Sequence, residues 1–167
     1  VRMKRLCGAV IAGLMLVPAA AYGQQNQPTT QSASDARAAD REAIKVVLAN
    51  YKAAIERLDA SGTEELFAAD SQIFETGGVE GTYQNYHAHH LGPELDHFRS
   101  FKFSDYKVDV RFEGPVALAT ETYRYRIETE SGEVAERQGV ATSVLKKVDG
   151  EWKILNMHNS ARRPRGS

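Results

Sequence analysis

Ile44, Val47, Leu48, Tyr51, Ile55 and Leu58 follow one another at steps of three and four. Residues so spaced share a helix face, so the pattern from Asp35 onward predicts one apolar stripe on a helix of roughly six turns. Ser61 and Glu64 stand at capping-box spacing ahead of Leu66 and Phe67, which predicts a short second helix. "SQIFE" (71–75) reads as a short strand that Thr76-Gly77-Gly78 ends. Thr82 is placed to cap a third helix through "YQNYHAHH"; Gly92-Pro93 interrupts it, and Pro93 suits the start of a further turn.

Beyond that point the period becomes two. "FKFSDYKVDVRFE" and "PVALATETYRYRIE" are long strands parted at Gly114-Pro115. Ser131-Gly132 and Asp149-Gly150 are hairpin turns that lead into "VAERQGVATSVLKKV" and "WKILNMHNS". Helix, helix, strand, helix and a four-strand antiparallel meander make an α+β fold. Its expected form is a curved antiparallel sheet wrapped around the long N-terminal helix.

Two-residue turns at both hairpins would set a register. Trp152 pairs with Lys147, Asn156 with Ser143, His158 and Thr122 with Ala141, and Arg124 with Gly139. Strict alternation then puts Leu118, Thr120, Thr122, Arg124, Ala141, Ser143, Leu145, Ile154, Asn156, His158 and Ser160 on one face. Small residues beside a few polar ones suit a cavity wall. Tyr123, Tyr125, Val140, Thr142, Val144, Leu155 and Met157 fall on the other face, an apolar surface suited to a homodimer joined through the sheet.

The ends of the chain read differently. A basic start, an apolar run broken by Pro18 and small residues before Gly23 mark 1–23 as a signal peptide. The polar stretch 24–36 reads as a disordered linker, 37–162 as the domain and 163–167 as a basic tail. The protein is thus expected to be periplasmic or secreted, with no membrane association after cleavage. Cys7 lies in the leader, so the remaining chain has neither disulfide nor thiolate chemistry. Without Arg2, Lys4 and Arg5, the 21 basic residues fall to 18 against 22 acidic ones, a net of −4 that argues against nucleic acid as a partner.

The order of elements, "GGVEGTYQNYHAHHLGPEL" and the ending "VLKKVDGEWKILNMHNS" resemble the nuclear transport factor 2-like superfamily, in its SnoaL-like, ketosteroid-isomerase-like bacterial branch, over about Ala38 to Arg162. The resemblance implies a cone-shaped cavity and, frequently, dimerisation. It spans isomerases, dehydratases, cyclases and epoxide hydrolases, so the fold alone names no reaction. Its ketosteroid-isomerase members use a carboxylate base with a tyrosine and an acid that hold an oxyanion. Glu75, Tyr51 and Tyr86 have the chemistry for such parts.

Four of the five histidines lie between Tyr86 and Phe98. His87 and His90 share a helix face with Tyr83 and Tyr86, and His158 with Glu94 or Glu75 would complete a metal set. His-x-His-His matches no compact zinc pattern, however, and Gly92-Pro93 would separate His90 from Glu94. No metal and no cofactor is therefore expected, and a metal-dependent hydrolase stays an alternative. The leading expectation is small-molecule binding with cofactor-free acid–base chemistry: an isomerisation, dehydration or hydrolysis. His158 would be the base and Glu75 or Tyr86 its partner, with Asn156, Arg124 and Tyr51 on the ligand and His90 at the cavity mouth. Arg124 would favour an anionic ligand, or else an ion pair with a neighbouring strand. The alternative from another class is a non-catalytic association module working through the sheet face.

Overall fold

The computed structural model describes residues 30–165. The expected leader lies outside this range. Helix α1 spans Thr30–Arg57, so the part of the expected linker from Thr30 on is helical. The stretch from Ser32 to Ala43 holds several alanines and no glycine or proline, and such sequences continue a helix readily beyond its first core contact. Ile44, Leu48, Ala54 and Ile55 are buried along the predicted stripe. Leu58 ends the helix in the left-handed region (φ 59°). Among the described residues no helix is long and apolar enough to cross a membrane.

A 3-10 turn, Thr63–Leu66, replaces the expected capped second helix. The capping box does not form: Ser61 bonds back to Asp59, and Glu64 reaches Nδ1 of His87 at 2.5 Å. Strands β1 (Phe67–Glu75) and β2 (Gly78–Gly81) follow as a hairpin. Thr82 caps α2 (Tyr83–Tyr86), its side chain accepting from the Asn85 N–H at 3.3 Å as expected. The chain then runs through a π turn, His87–Leu91, into α3 (Gly92–Leu95). Gly92-Pro93 therefore does not break the helix. The wide turn absorbs a proline that offers no N–H, and π turns recur at functional sites.

Strands β3 (Phe98–Glu113), β4 (Val116–Thr129), β5 (Val134–Val148) and β6 (Glu151–Arg162) complete one six-stranded sheet of order β2-β1-β6-β5-β4-β3. The meander is antiparallel as expected, but β1 joins β6 in parallel, with Ile73 opposite Met157 and Glu75 opposite Asn159. Helix α1 lies across the concave face and covers the core of Ile44, Leu48, Ile73, Leu145, Ile154 and Met157. Its side chains also bind β3 along its free side. Arg37 donates to the Gly114 carbonyl at 2.8 Å, Arg41 to the Val110 carbonyl at 3.3 Å, and Glu56 accepts from the Phe103 N–H at 3.0 Å. Trp152 is core, its N–H donating to Asp40 at 3.0 Å.

The register differs from expectation at two places. The Asp149-Gly150 turn is the two-residue hairpin predicted, with both residues at positive φ and Trp152 opposite Lys147. Leu155 then bulges out of β6: Leu145 faces Ile154, yet Val144 faces Asn156. One unpaired residue reverses the alternation beyond it. The β4–β5 connection is the longer loop 129–133, whose last pair is Glu128 with Val134. That puts Glu121, not Thr122, opposite Ala141. Together the two slips turn Asn156, His158, Thr122 and Arg124 away from the concave face and bring Met157, Asn159, Glu121, Tyr123 and Tyr125 onto it.

Candidate functional site

Beyond the packed core the concave face opens into a cavity of about 160 Å³. Helix α1 contributes Tyr51, Lys52 and Ile55, and the α2–α3 run adds Tyr86, Leu91, Glu94 and Leu95. Opposite them stand Phe98, Phe101, Phe103 and Tyr106 of β3 and Glu121, Tyr123, Tyr125 and Ile127 of β4. A bulge in β3 between Ser104 and Lys107, with Asp105 at φ 53°, keeps Tyr106 on the same side as Phe103. The wall is thus rich in aromatic rings and is interrupted by two carboxyl poles.

The first pole is built from the β1 end and the helical run. Ser71 and Ile73 alternate inward along β1 and lead to Glu75 at the cavity wall. The Tyr86 hydroxyl donates to Oε2 of Glu75 at 3.0 Å. Nε2 of His90 stands 3.4 Å from that same oxygen and 3.4 Å from Glu94, while its Nδ1 stands 3.1 Å from Glu80. The Glu94 contact is the i, i+4 pair that a broken helix would have prevented. Burial raises the Glu75 carboxyl; the Tyr86 hydrogen bond and the His90 charge pull against that rise, and Glu94 and Glu80 reinforce it. Burial alone would lower His90, but the Glu80 bond and the charges of Glu94, Glu75 and Glu80 raise it. Burial likewise pushes the Tyr86 hydroxyl up, so it remains a hydrogen-bond donor.

The second pole is Glu121 on β4, only 6% exposed. The Tyr106 hydroxyl donates to its Oε1. Burial raises this carboxyl, against the Tyr106 hydrogen bond. Its folded pKa lies above the unfolded value of about 4.5. Stability from this group is therefore full below 4.5 and is lost as pH rises through the folded value. Glu121→Gln cannot ionise. Melting scans should show the variant gaining on the wild type above that window; a gain at acid pH instead would contradict the burial account.

Tyr123 owes its place to a missing side chain. Its ring lies over Gly139, directly across the β4–β5 pair, where an added Cβ would overlap it. Gly139→Ala should drive the ring off the sheet into the cavity. The expected cost is about 1–3 kcal/mol of unfolding free energy, read by urea titration. A variant of unchanged stability would mean that the ring has room to shift.

Of the residues singled out from the sequence, Glu75, Tyr86 and Tyr51 line the cavity, and His90 stands behind Glu75. His158, Asn156 and Arg124 do not. His158 is exposed on the convex side, Asn156 sits beside the β6 bulge, and Arg124, 63% exposed, pairs with Asp105 at 3.6 Å. The histidines also disperse. His87 goes to Glu64, His97 donates its Nδ1–H to the Pro93 carbonyl at 2.7 Å, and His89 is exposed. Among the described residues no group of three or more His, Cys, Asp and Glu is arranged to hold a metal ion. Sequence reasoning missed Glu121 and Tyr106. The signal was present in "FKFSDYKVDV", where Phe103 and Tyr106 are three apart in an otherwise alternating strand.

Fold and site together define an α+β cone with an aromatic cavity carrying two carboxyl poles. The SnoaL-like domain family matches residues 44–164, and the chain belongs to that family. Its structure is similar to a nuclear transport factor 2-like superfamily protein from Salmonella enterica serovar Typhimurium, with a TM-score of 0.69 at 17% identity over 78% of this chain and 96% of that one. It is also similar to a candidate ketosteroid isomerase from Shewanella frigidimarina, with a TM-score of 0.59 at 25% identity over 71% and 94%. A type 2 hexachlorocyclohexane dehydrochlorinase gives 0.66 at 14% over 75% and 87%. No curated protein matches the sequence closely enough to count as a relative.

Proposed function

We propose that this protein binds a small molecule in the cavity and transfers a proton on it without a cofactor, in an isomerisation or elimination. The observation that carries this reading is the Glu75 carboxyl, buried at the wall between the Tyr86 hydroxyl and the His90 imidazole. A carboxylate with a raised pKa is a stronger base than one in water, and it becomes catalytic where a substrate carbon can approach it. Glu75 takes the proton, Tyr86 fixes the oxygen it shares, and the His90 cation keeps the carboxylate ionised. Glu121 and Tyr106 anchor the far end of the ligand. The proton then returns to another carbon, or a leaving group departs. The resemblance to a candidate isomerase and a dehydrochlorinase supports this class of chemistry.

The reading is tested by deuterium exchange. The protein is incubated in D2O with a panel of cyclic and aryl ketones, with and without an amine, and α-proton signals are followed by NMR. Exchange that depends on Glu75 is expected for part of the panel. No exchange with any member, or undiminished exchange by Glu75→Gln, would overturn the reading.

The pattern of residues 1–23 supports export. A homodimer through the convex face is supported by the exposure of Val140, 39%, beside half-buried Leu118, Val144 and Leu155. Tyr125 belongs to the cavity instead. Val140→Glu should convert a dimer to monomer in light scattering; an unchanged mass removes this face as the interface.

A further inference from the structure

The charges on the cavity wall do not balance, and the imbalance selects a ligand class. We propose that the cavity accepts an organic cation, an amine or quaternary ammonium on an apolar body, with its charge before Glu121 among the rings of Phe103, Tyr106 and Tyr123. This names the ligand of the site described above and rests on that cavity being a ligand site.

Three carboxylates reach the wall: Glu75, Glu94 and Glu121. Lys52 is the basic residue among the lining side chains, and its ammonium is held by Glu56 at 2.7 Å. Glu75 and Glu94 already share the imidazole of His90. Glu121 has no such partner among the described residues. One oxygen takes the Tyr106 hydroxyl, and Oε2 has no hydrogen bond there. Desolvating a carboxyl group without a counter-charge is costly, and a ligand bearing that charge would relieve the cost. An anionic ligand would meet the opposite situation, with no free guanidinium or ammonium on the wall to receive it. Arg137 acts on Tyr125 from outside the lining and donates to the Glu136 carbonyl.

The rings add an independent argument. Phe103 and Tyr123 meet edge to face with centroids 5.1 Å apart, and Tyr106 stacks beside Tyr123 at 6.1 Å. Phe103 stands steeply to both tyrosines, at 71° to Tyr106 and 84° to Tyr123, while the two tyrosine planes lie 25° apart; such an aromatic corner suits alkylated ammonium groups. The protein already places a cation on this cluster. The Lys52 ammonium lies 5.3 Å from the Phe103 centroid and 5.5 Å from that of Tyr106.

The test is calorimetric titration of the purified protein with three probes of one shape class. These are phenyltrimethylammonium, its neutral isostere tert-butylbenzene, and benzoate. The expected order places the cation first, by about tenfold over the neutral probe. Glu121→Gln should abolish that preference while still binding tert-butylbenzene, and Tyr123→Leu gives a second variant that weakens the cation more than the neutral probe. Equal binding of the cation and tert-butylbenzene, or tighter binding of benzoate, overturns the proposal. If none of the probes binds while ketone exchange proceeds, the cation assignment falls and the catalytic reading stands. Cation binding without any exchange supports the assignment and removes the catalytic reading alone.

Discussion

Replacing Met157 by alanine is expected to cost about 2–5 kcal/mol, a large share of a domain's stability. Met157 is 1% exposed and faces the core together with Ile154, at 0%, because Leu155 between them is unpaired. It also stands opposite Ile73 across the parallel join. Urea titration should read the loss; a variant that unfolds like the wild type would mean that the core closes over the gap. Deleting Leu155, by contrast, joins Ile154 directly to Asn156, opposite the consecutive Leu145 and Val144, so Met157 keeps its facing and the variant should still fold. Circular dichroism that shows no cooperative melt for the deletion would contradict this account of the bulge.

The second large effect is on rate. With a responsive ketone, Glu75→Gln should lower kcat/KM by about 10²–10⁴-fold, the usual worth of a positioned general base, with KM little changed. The pH profile separates a base from a structural group. Glu75 must be ionised to take a proton, so activity falls on the acid side through a pKa above 4.5. His90 must be protonated to support it, so activity falls on the alkaline side through a pKa above 6.5. Replacing His90 by glutamine removes the alkaline limb. It also removes the charge that lowers Glu75, so the acid limb moves to higher pH. A profile unchanged by His90→Gln would exclude His90 from the proton's path.

The sequence carried the architecture more fully than the wall of the site. Steps of three and four in α1 and the period of two after Phe98 each follow from burying one face, and both survive small errors of boundary. Facing is less forgiving, since one extra residue inverts it. Two such residues occur, Leu155 and one in the loop 129–133, and they moved His158, Asn156 and Arg124 to the convex side. Ile154 and Met157 stand three apart, as Phe103 and Tyr106 do, so apolar spacing did mark both bulges. Glu75, Tyr86 and Tyr51 were found because they lie before the meander. The proximity of His90 to Glu75 was not legible, because it depends on a π turn that no local pattern announces.

The contacts of α1 with β3 have a consequence away from the cavity. β3 is the last strand of an open sheet, and a long bare edge is a template on which a second chain can add a strand. Arg37, Arg41 and Glu56 occupy backbone groups along that edge, and the Asp105 bulge kinks it midway. The helix that fills the cone therefore also shields the molecule from edge-to-edge aggregation.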